Sequence, residues 1–230
     1  ELRQKFSANS KPLTEIESRE LLSVYGIRRP KEKITSTSAD AARIADEIGY
    51  PVVMKILSPD IQHKTECGGV KVNIKTPEEA IDAFEAIIHN AHVYNQDARI
   101  EGVIIQEMIP SDSVEVILGV IHDPAFGPVV VYGTGGIMVE LIKDSVLALP
   151  PITKKEALEM IAETRGAKLL NGFRGSEKSD ITALADAIVN LSFLARDFAD
   201  VIAALEINPL MVLPDGRGVC AVDALFERKK

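Results

Sequence analysis

The chain has 230 residues, 46% hydrophobic and 26% charged, enough to bury a full core in one large domain or two small lobes and unlike a disordered or fibrous sequence. Its formal net charge of −8 argues against broad contact with a phosphate backbone, so no nucleic acid partner is expected, although one local basic pocket could hold a nucleotide. Cys67 and Cys220 show no CxxC spacing, no apolar run approaches the ~20 residues of a membrane span, and the opening "ELRQKFSANSKPLTE" is too polar for a secretory signal; a cytoplasmic protein without membrane contact is expected.

In "LTEIESRELLSVYGI" a capping threonine, a glutamate three residues on, and Leu21, Leu22 and Tyr25 predict an amphipathic helix ending at Gly26. "SADAARIADEIGYP" repeats the pattern with Ser38 as cap and Gly49 as stop. Strands follow in "PVVMKIL" and "GVKVNI", then a helix in "TPEEAIDAFEAIIHNAHVY" capped by Thr76 with Pro77 in its first turn, then a strand in "GVIIQEMI". Residues 26–109 thus read as a compact α/β lobe. Beyond Pro110, "SVEVILGVIHD", "GPVVVYGTGG" and "IMVELI" predict a second sheet. "TKKEALEMIAETRGAKLL" and "DITALADAIVNLSFLARDF" read as helices, and "ALEINPLMVLPDGRGVCAVDALF" as a hairpin turning between Pro214 and Gly218.

Lys55 interrupts the apolar run from Val52 to Leu57, which reads as a strand buried on both faces. A lysine there either snorkels to water or meets an anion. The following "HKTECGGVKV" offers Lys64 and Thr65 as donors and Gly68 and Gly69 for close backbone approach; it has no Walker spacing, and a plain hairpin loop with a surface His63 is equally compatible. Cys67 reads as a spectator.

If Asp215 and Gly216 are the two central residues of the hairpin turn, Asn208 lies opposite Asp223, with Cβ atoms ~5 Å apart, and Glu206 shares their face. These are hard oxygen donors suited to a divalent cation, magnesium with phosphate being the natural choice; a polar pair on a solvated hairpin fits the spacing as well. Gln106 and Glu107 follow an apolar strand where the lobe ends, a place where backbone groups can meet a base edge and a carboxylate a ribose. Glu115 alternates with Val114 and Val116 and could face the same cleft between lobes; an ordinary solvated strand face accounts for these residues as well. Gly133, Gly135 and Gly136 could line a ligand or turn the chain, and Arg174 in "GFRG" could face a phosphate or cap a helix.

The ordered set "VMKIL", "HKTECGGVKV", "VIIQEMIP", "VEVILG", "GTGGIMVEL", "LLNGFRG" and "EINPLMV…GVCAVDA" resembles the β subunit of ADP-forming acetyl-CoA synthetases, relatives of succinyl-CoA synthetase. The resemblance implies an α/β (α+β) ATP-grasp fold of two lobes with nucleotide between them. It implies an N-terminal helix (1–25) packing on the second lobe, a first lobe (26–109) with a phosphohistidine loop (58–70), and a second lobe (110–230) with a metal-binding hairpin (206–223). Lys55 and the segment Lys64–Gly69 match phosphate-binding positions, Glu107 and Met108 the adenosine hinge, and Glu115 a residue near the ribose; Arg174 is a further candidate nucleotide contact. Asn208 and Asp223, with Glu206, match the Mg²⁺ site, and His63 matches the phosphoryl-carrying histidine. ATP or ADP is the implied substrate, and a CoA-binding α subunit in an α2β2 heterotetramer the implied partner.

The implied reaction is acetyl-CoA + ADP + phosphate to acetate + CoA + ATP, with His63 on a swinging loop flanked by Pro59 and the glycine pair. A stand-alone ATP-grasp carboxylate–amine ligase and a catalytically silent nucleotide-binding module are the alternatives. The missing initiator methionine suggests trimming or an artificial boundary of the sequence.

Overall fold

The computed structural model describes residues 13–61, 64–135, 144–173 and 175–229. The chain divides into two compact units. The smaller is Pro30–Ile109, and the larger joins the flanking segment up to Arg29 to the chain from Pro110 onward.

Helix α1 (Glu15–Val24) starts on a capping box. Thr14 Oγ1 accepts from the Glu17 N–H, and the Glu17 carboxylate accepts from the Thr14 N–H. The Gly26 N–H donates to Ser23 and the Ile27 N–H to Leu22, and Ile27 is buried with Leu21 and Leu22 in the core of the larger unit. The sequence pattern opens the small lobe at Gly26; the structure opens it at Pro30, because Ile27 is an apolar anchor for α1.

The smaller unit runs β1 (Glu32–Thr35), α2 (Ser38–Ile48), β2 (Val52–Leu57), β3 (Val70–Ile74), α3 (Pro77–Tyr94) and β4 (Gly102–Glu107). Its strands pair in the order β1–β4–β2–β3, every neighbour antiparallel. The cap of α2 is Thr37 rather than Ser38. Thr37 keeps an extended backbone while its side chain accepts from the Asp40 N–H at 3.2 Å, so Ser38 is already helical. Both helices lie on one face, where Ala41, Ile44, Phe84 and Ile87 pack with Val52, Met54, Ile56, Val103 and Ile105. The expected burial of β2 on both faces is not found. Val52, Met54 and Ile56 are buried, whereas Val53, Lys55 and Leu57 are half-buried, because the helices cover one side only.

The larger unit continues with β5 (Val114–Asp123), β6 (Gly127–Thr134), β7 (Ser145–Ala148), α4 (Lys154–Glu163), α5 (Ala167–Leu170), α6 (Ile181–Asp197), β8 (Ile202–Val212), β9 (Val219–Ala221) and β10 (Ala224–Arg228). The sheet order is β10–β8–β5–β6–β7, with β9 also pairing β8. Helices α4 and α6 cover one face, burying Leu118, Val120, Tyr132, Leu205 and Ile207 against Met160, Ile161, Ile188 and Leu191. Helix α1 docks on β10, where Ser18 Oγ accepts from the Phe226 N–H at 3.2 Å. The predicted strand over 137–142 lies outside the described residues. The one helix predicted across 153–170 is two. The Thr164 hydroxyl donates to the Ile161 carbonyl, and the N–H groups of Arg165 and Gly166 donate to the Asp144 carboxylate at 3.0 and 3.1 Å, which breaks the helical ladder. Among the described residues no helix is long and apolar enough to cross a membrane.

Candidate functional site

The open face of the six-stranded sheet, opposite α4 and α6, carries the oxygen donors. Strand β8 buries Leu205, Ile207, Leu210 and Val212 toward the helices, so Glu206 and Asn208 project to the other side, where both are exposed. The register is the one the two-residue turn predicts: Leu210 faces Ala221, Met211 faces Cys220, and Val212 faces Val219. It continues through Ala224 opposite Ile207 and Leu225 opposite Glu206. Between these ladders Val222 and Asp223 leave the strand, yet the Asn208 N–H donates to the Asp223 carbonyl at 3.2 Å and the Val222 N–H to Pro209.

Asn208 and Asp223 are therefore direct neighbours across the hairpin. Asn208 Nδ2 donates to Glu206 Oε1 at 3.0 Å, which orients the amide so that its carbonyl oxygen points elsewhere. Two carboxylates and an amide oxygen suit a small hard cation. Among the described residues no three His, Cys, Asp or Glu side chains converge on one point, so such a cation would complete its shell with water or phosphate oxygens. Glu115, exposed at the start of β5 opposite Met211, lies on the same sheet face.

In the smaller unit Lys55 sits mid-strand, opposite Ile104 on one side and Val70 on the other, on the face away from the helices. The segment Lys64–Gly69 is a tight turn. The Gly69 N–H donates to the Lys64 carbonyl at 2.8 Å, the Gly68 N–H to Thr65, and the Ile56 N–H to the Gly69 carbonyl. Asn90 on α3 donates to the Gly68 carbonyl at 3.1 Å. Gly68 needs its left-handed φ of 67°, and a Cβ on Gly69 would lie 2.6 Å from Ile56 Cγ2. The glycine pair that flanks the loop is a packed and hydrogen-bonded turn. Cys67 is buried in the small core, as befits a spectator. Upstream, Ile61 is buried and the Asp60 carboxylate accepts from the Arg99 N–H at 2.7 Å. His63, Arg174 and Gly136 lie outside the described residues.

Glu107 ends β4 with its N–H donating to the Lys31 carbonyl and its carboxylate accepting from the Lys31 N–H at 3.1 Å; the Met108 N–H donates to Pro51 at 3.3 Å. The Glu107 and Met108 N–H groups thus have partners within the unit. Gln106 is buried and donates to Glu32 across the β1–β4 pair.

Three residues escaped sequence reasoning. Asp144 ties the foot of the glycine segment: it accepts from Thr134 Oγ1 and from the N–H groups of Arg165 and Gly166. Burial pushes its pKa up, but those hydrogen bonds outweigh burial and hold the carboxyl below its usual range. Asp180 caps α6 through the Ala183 N–H and accepts from the Gly218 N–H at 2.9 Å, fastening the β8–β9 turn. Arg19, wholly buried on α1, donates to the Val222 carbonyl at 3.3 Å and stands 3.7 Å from Asp223 Oδ1. Its signal was the i, i+3 stripe that it shares with the buried Leu22.

Comparison with known proteins supplies the family context. The ATP-grasp domain profile matches residues 4–227. The chain is 47% identical to the β subunit of ADP-forming acetate–CoA ligase I of Pyrococcus furiosus, over 97% of this chain and 95% of that one. It is 46% identical to the ADP-forming 4-hydroxybutyrate–CoA ligase of Nitrosopumilus maritimus over 92% of this chain, but spans only 30% of that longer protein. Among solved structures it resembles dinucleotide forming acetyl-coenzyme A synthetase 1 of Ca. Korarchaeum cryptofilum. The complex with coenzyme A, Ca-AMPCP and HgCl+ gives a TM-score of 0.91 at 37% identity, covering 99% of this chain and 98% of that one. The complex with Mg-AMPPCP, whose phosphohistidine segment points towards the nucleotide binding site, gives 0.83 at 36% identity, covering 99% and 97%.

Proposed function

This chain belongs to the ATP-grasp β subunits of the ADP-forming acetate–CoA ligases, and from that premise we propose that it performs the nucleotide half of acetyl-CoA + ADP + phosphate ⇌ acetate + CoA + ATP. The observation that carries this reading is the near end-to-end match to a β subunit at 47% identity. A further part must supply the CoA chemistry. In the longer relative it would lie on the same polypeptide, and here it is a CoA-binding α subunit in an α2β2 assembly.

In this reading Lys55 and the Lys64–Gly69 turn receive the nucleotide phosphates, Arg174 adds a third cationic contact, Glu107 and Met108 hold the adenosine, and Glu115 lies at the ribose. Asn208 and Asp223, with Glu206, hold Mg²⁺, which when bound neutralises charge on the phosphates. Phosphoryl transfer asks the chain for positioning and charge rather than covalent work, except at one step. A neutral His63 nitrogen attacks the phosphorus of the acyl phosphate; the P–O bond breaks and its electron pair leaves with the carboxylate. A β-phosphate oxygen of ADP then attacks the same phosphorus, the P–N bond breaks, and the imidazole is restored as ATP forms.

Incubating the chain with Mg²⁺ and γ-labelled ATP, with and without its α subunit, tests this. Acid-labile phosphate on His63, lost in His63→Ala together with acyl-CoA-dependent ATP synthesis, is the expected result. Full ATP synthesis by His63→Ala overturns the carrier role, and nucleotide binding with no label under either condition returns the protein to a ligase without a phosphohistidine or to a silent module.

A further inference from the structure

Helix α3 buries Ala80, Ala83, Phe84, Ile87 and Ala91 in the small core. Asn90 stands three residues after Ile87, at a half-buried position where that stripe would take an apolar side chain. An amide there is a poor helix former and costs desolvation unless it finds a partner. The partner lies outside the helix: Asn90 Nδ2 donates to the Gly68 carbonyl at 3.1 Å. The fit is close, since a Cβ on Gly68 would lie 2.8 Å from that nitrogen.

The bond reaches further through the turn. The Gly68 N–H donates to the Thr65 carbonyl at 3.1 Å, and the Lys64 carbonyl accepts from the Gly69 N–H at 2.8 Å and from the Cys67 thiol at 3.2 Å. Seating Gly68 on α3 therefore seats the backbone of Lys64 and Thr65, and Lys64 directly follows His63 in the chain. Lys64 and Glu66 make other contacts as well, so the turn does not owe its existence to Asn90. The amide adds a tie between the turn and the helix.

We propose that Asn90 is a positioning residue for phosphoryl transfer, anchoring on α3 the turn that offers Lys64 and Thr65 to phosphate. This rests on the reading of His63 as the phosphoryl carrier and of the turn as a phosphate site. Transfer is sensitive to a misplacement of about 1 Å, so a turn that is formed but loosely seated would still bind and react slowly.

The test follows single-turnover labelling of His63 by γ-labelled ATP and Mg²⁺ with the α subunit present. Asn90→Asp keeps the shape of the side chain but, ionised, has no hydrogen to donate, and Asn90→Leu supplies the apolar residue that the stripe calls for. Both are expected to melt close to the parent and to label about 10-fold more slowly at saturating ATP, because alignment rather than affinity is lost. Where one variant does not fold, the other decides. A folded variant that labels at the parent rate, or a loss that saturating ATP abolishes, overturns the positioning role while leaving His63 the carrier. A parent protein that takes no label on His63 removes the carrier reading and this inference with it.

Discussion

The two units solve the same problem with opposite charge. Each is an antiparallel sheet with its helices on one face, and in each the candidate ligand residues stand on the other face. On the small sheet that residue is Lys55, in a strand whose alternate positions are buried in the core. On the large sheet they are Glu115, Glu206 and Asn208, with Asp223 beside them. A lysine suits phosphate, and neighbouring carboxylates suit the cation that phosphate brings with it. The difference lies in what surrounds each charge: the lysine sits in a ladder between Ile104 and Val70, and Asp223 stands 3.7 Å from the buried guanidinium of Arg19.

The sharpest way to break this comparison is to remove the small unit's charge. Lys55→Met, half-buried and outside the helix-side core, is expected to fold normally and to lower kcat/KM for ADP roughly 100-fold or more, measured with the α subunit present. Unaltered kinetics would leave Lys55 a snorkelling strand lysine and the comparison one-sided.

Two crowded glycines give the next largest effect. A Cβ on Gly135 would lie 2.5 Å from the backbone carbon of Glu115, whereas one on Gly69 meets the Ile56 side chain. A backbone atom in a paired strand cannot yield, but a methyl group can. Gly135→Ala should therefore fall at the upper end of the about 1–3 kcal/mol cost of overpacking and Gly69→Ala at the lower end, compared by denaturant melts.

Asp144 adds a pH dependence to the larger unit. Its folded pKa lies below the ordinary carboxylate value, so its stabilisation is present above the unfolded pKa of about 3.9 and disappears as pH falls through the lower folded value. The parent should melt above Asp144→Asn by a constant margin near neutrality, and the two curves should converge in acid. A margin that widens in acid contradicts the hydrogen-bond assignment. The smallest effect separates neighbouring caps: Thr37→Ala should cost about 1 kcal/mol, and Ser38→Ala almost nothing.

Local signals were readable where local physics sets the outcome. The capping box of α1, the proline at the start of α3 and the pairing of β8 with β9 and β10 all follow from residues a few positions apart. Strand β1 was missed because Glu-Lys-Ile-Thr has no pattern of its own and is a strand only through its pairing with β4. The break after α4 was missed because Asp144, whose carboxylate takes the Arg165 and Gly166 N–H groups, lies far upstream of any helical window containing them. The crowding of the glycine pair was not readable, since sequence shows that a glycine permits close approach but not which atoms crowd it.

By itself, the sequence determined the alternation of helices and strands and the opposition of Asn208 to Asp223, and it named the side chains proposed to hold phosphate and metal. Turn geometry and side-chain periodicity are properties of neighbours along the chain. Tertiary structure alone decided which face of each sheet stays open, that Gly68 and Gly69 are packed against α3 and β2, and that a buried Arg19 meets Asp223. Those outcomes depend on burial and on pairs two hundred residues apart, and no local window contains both partners.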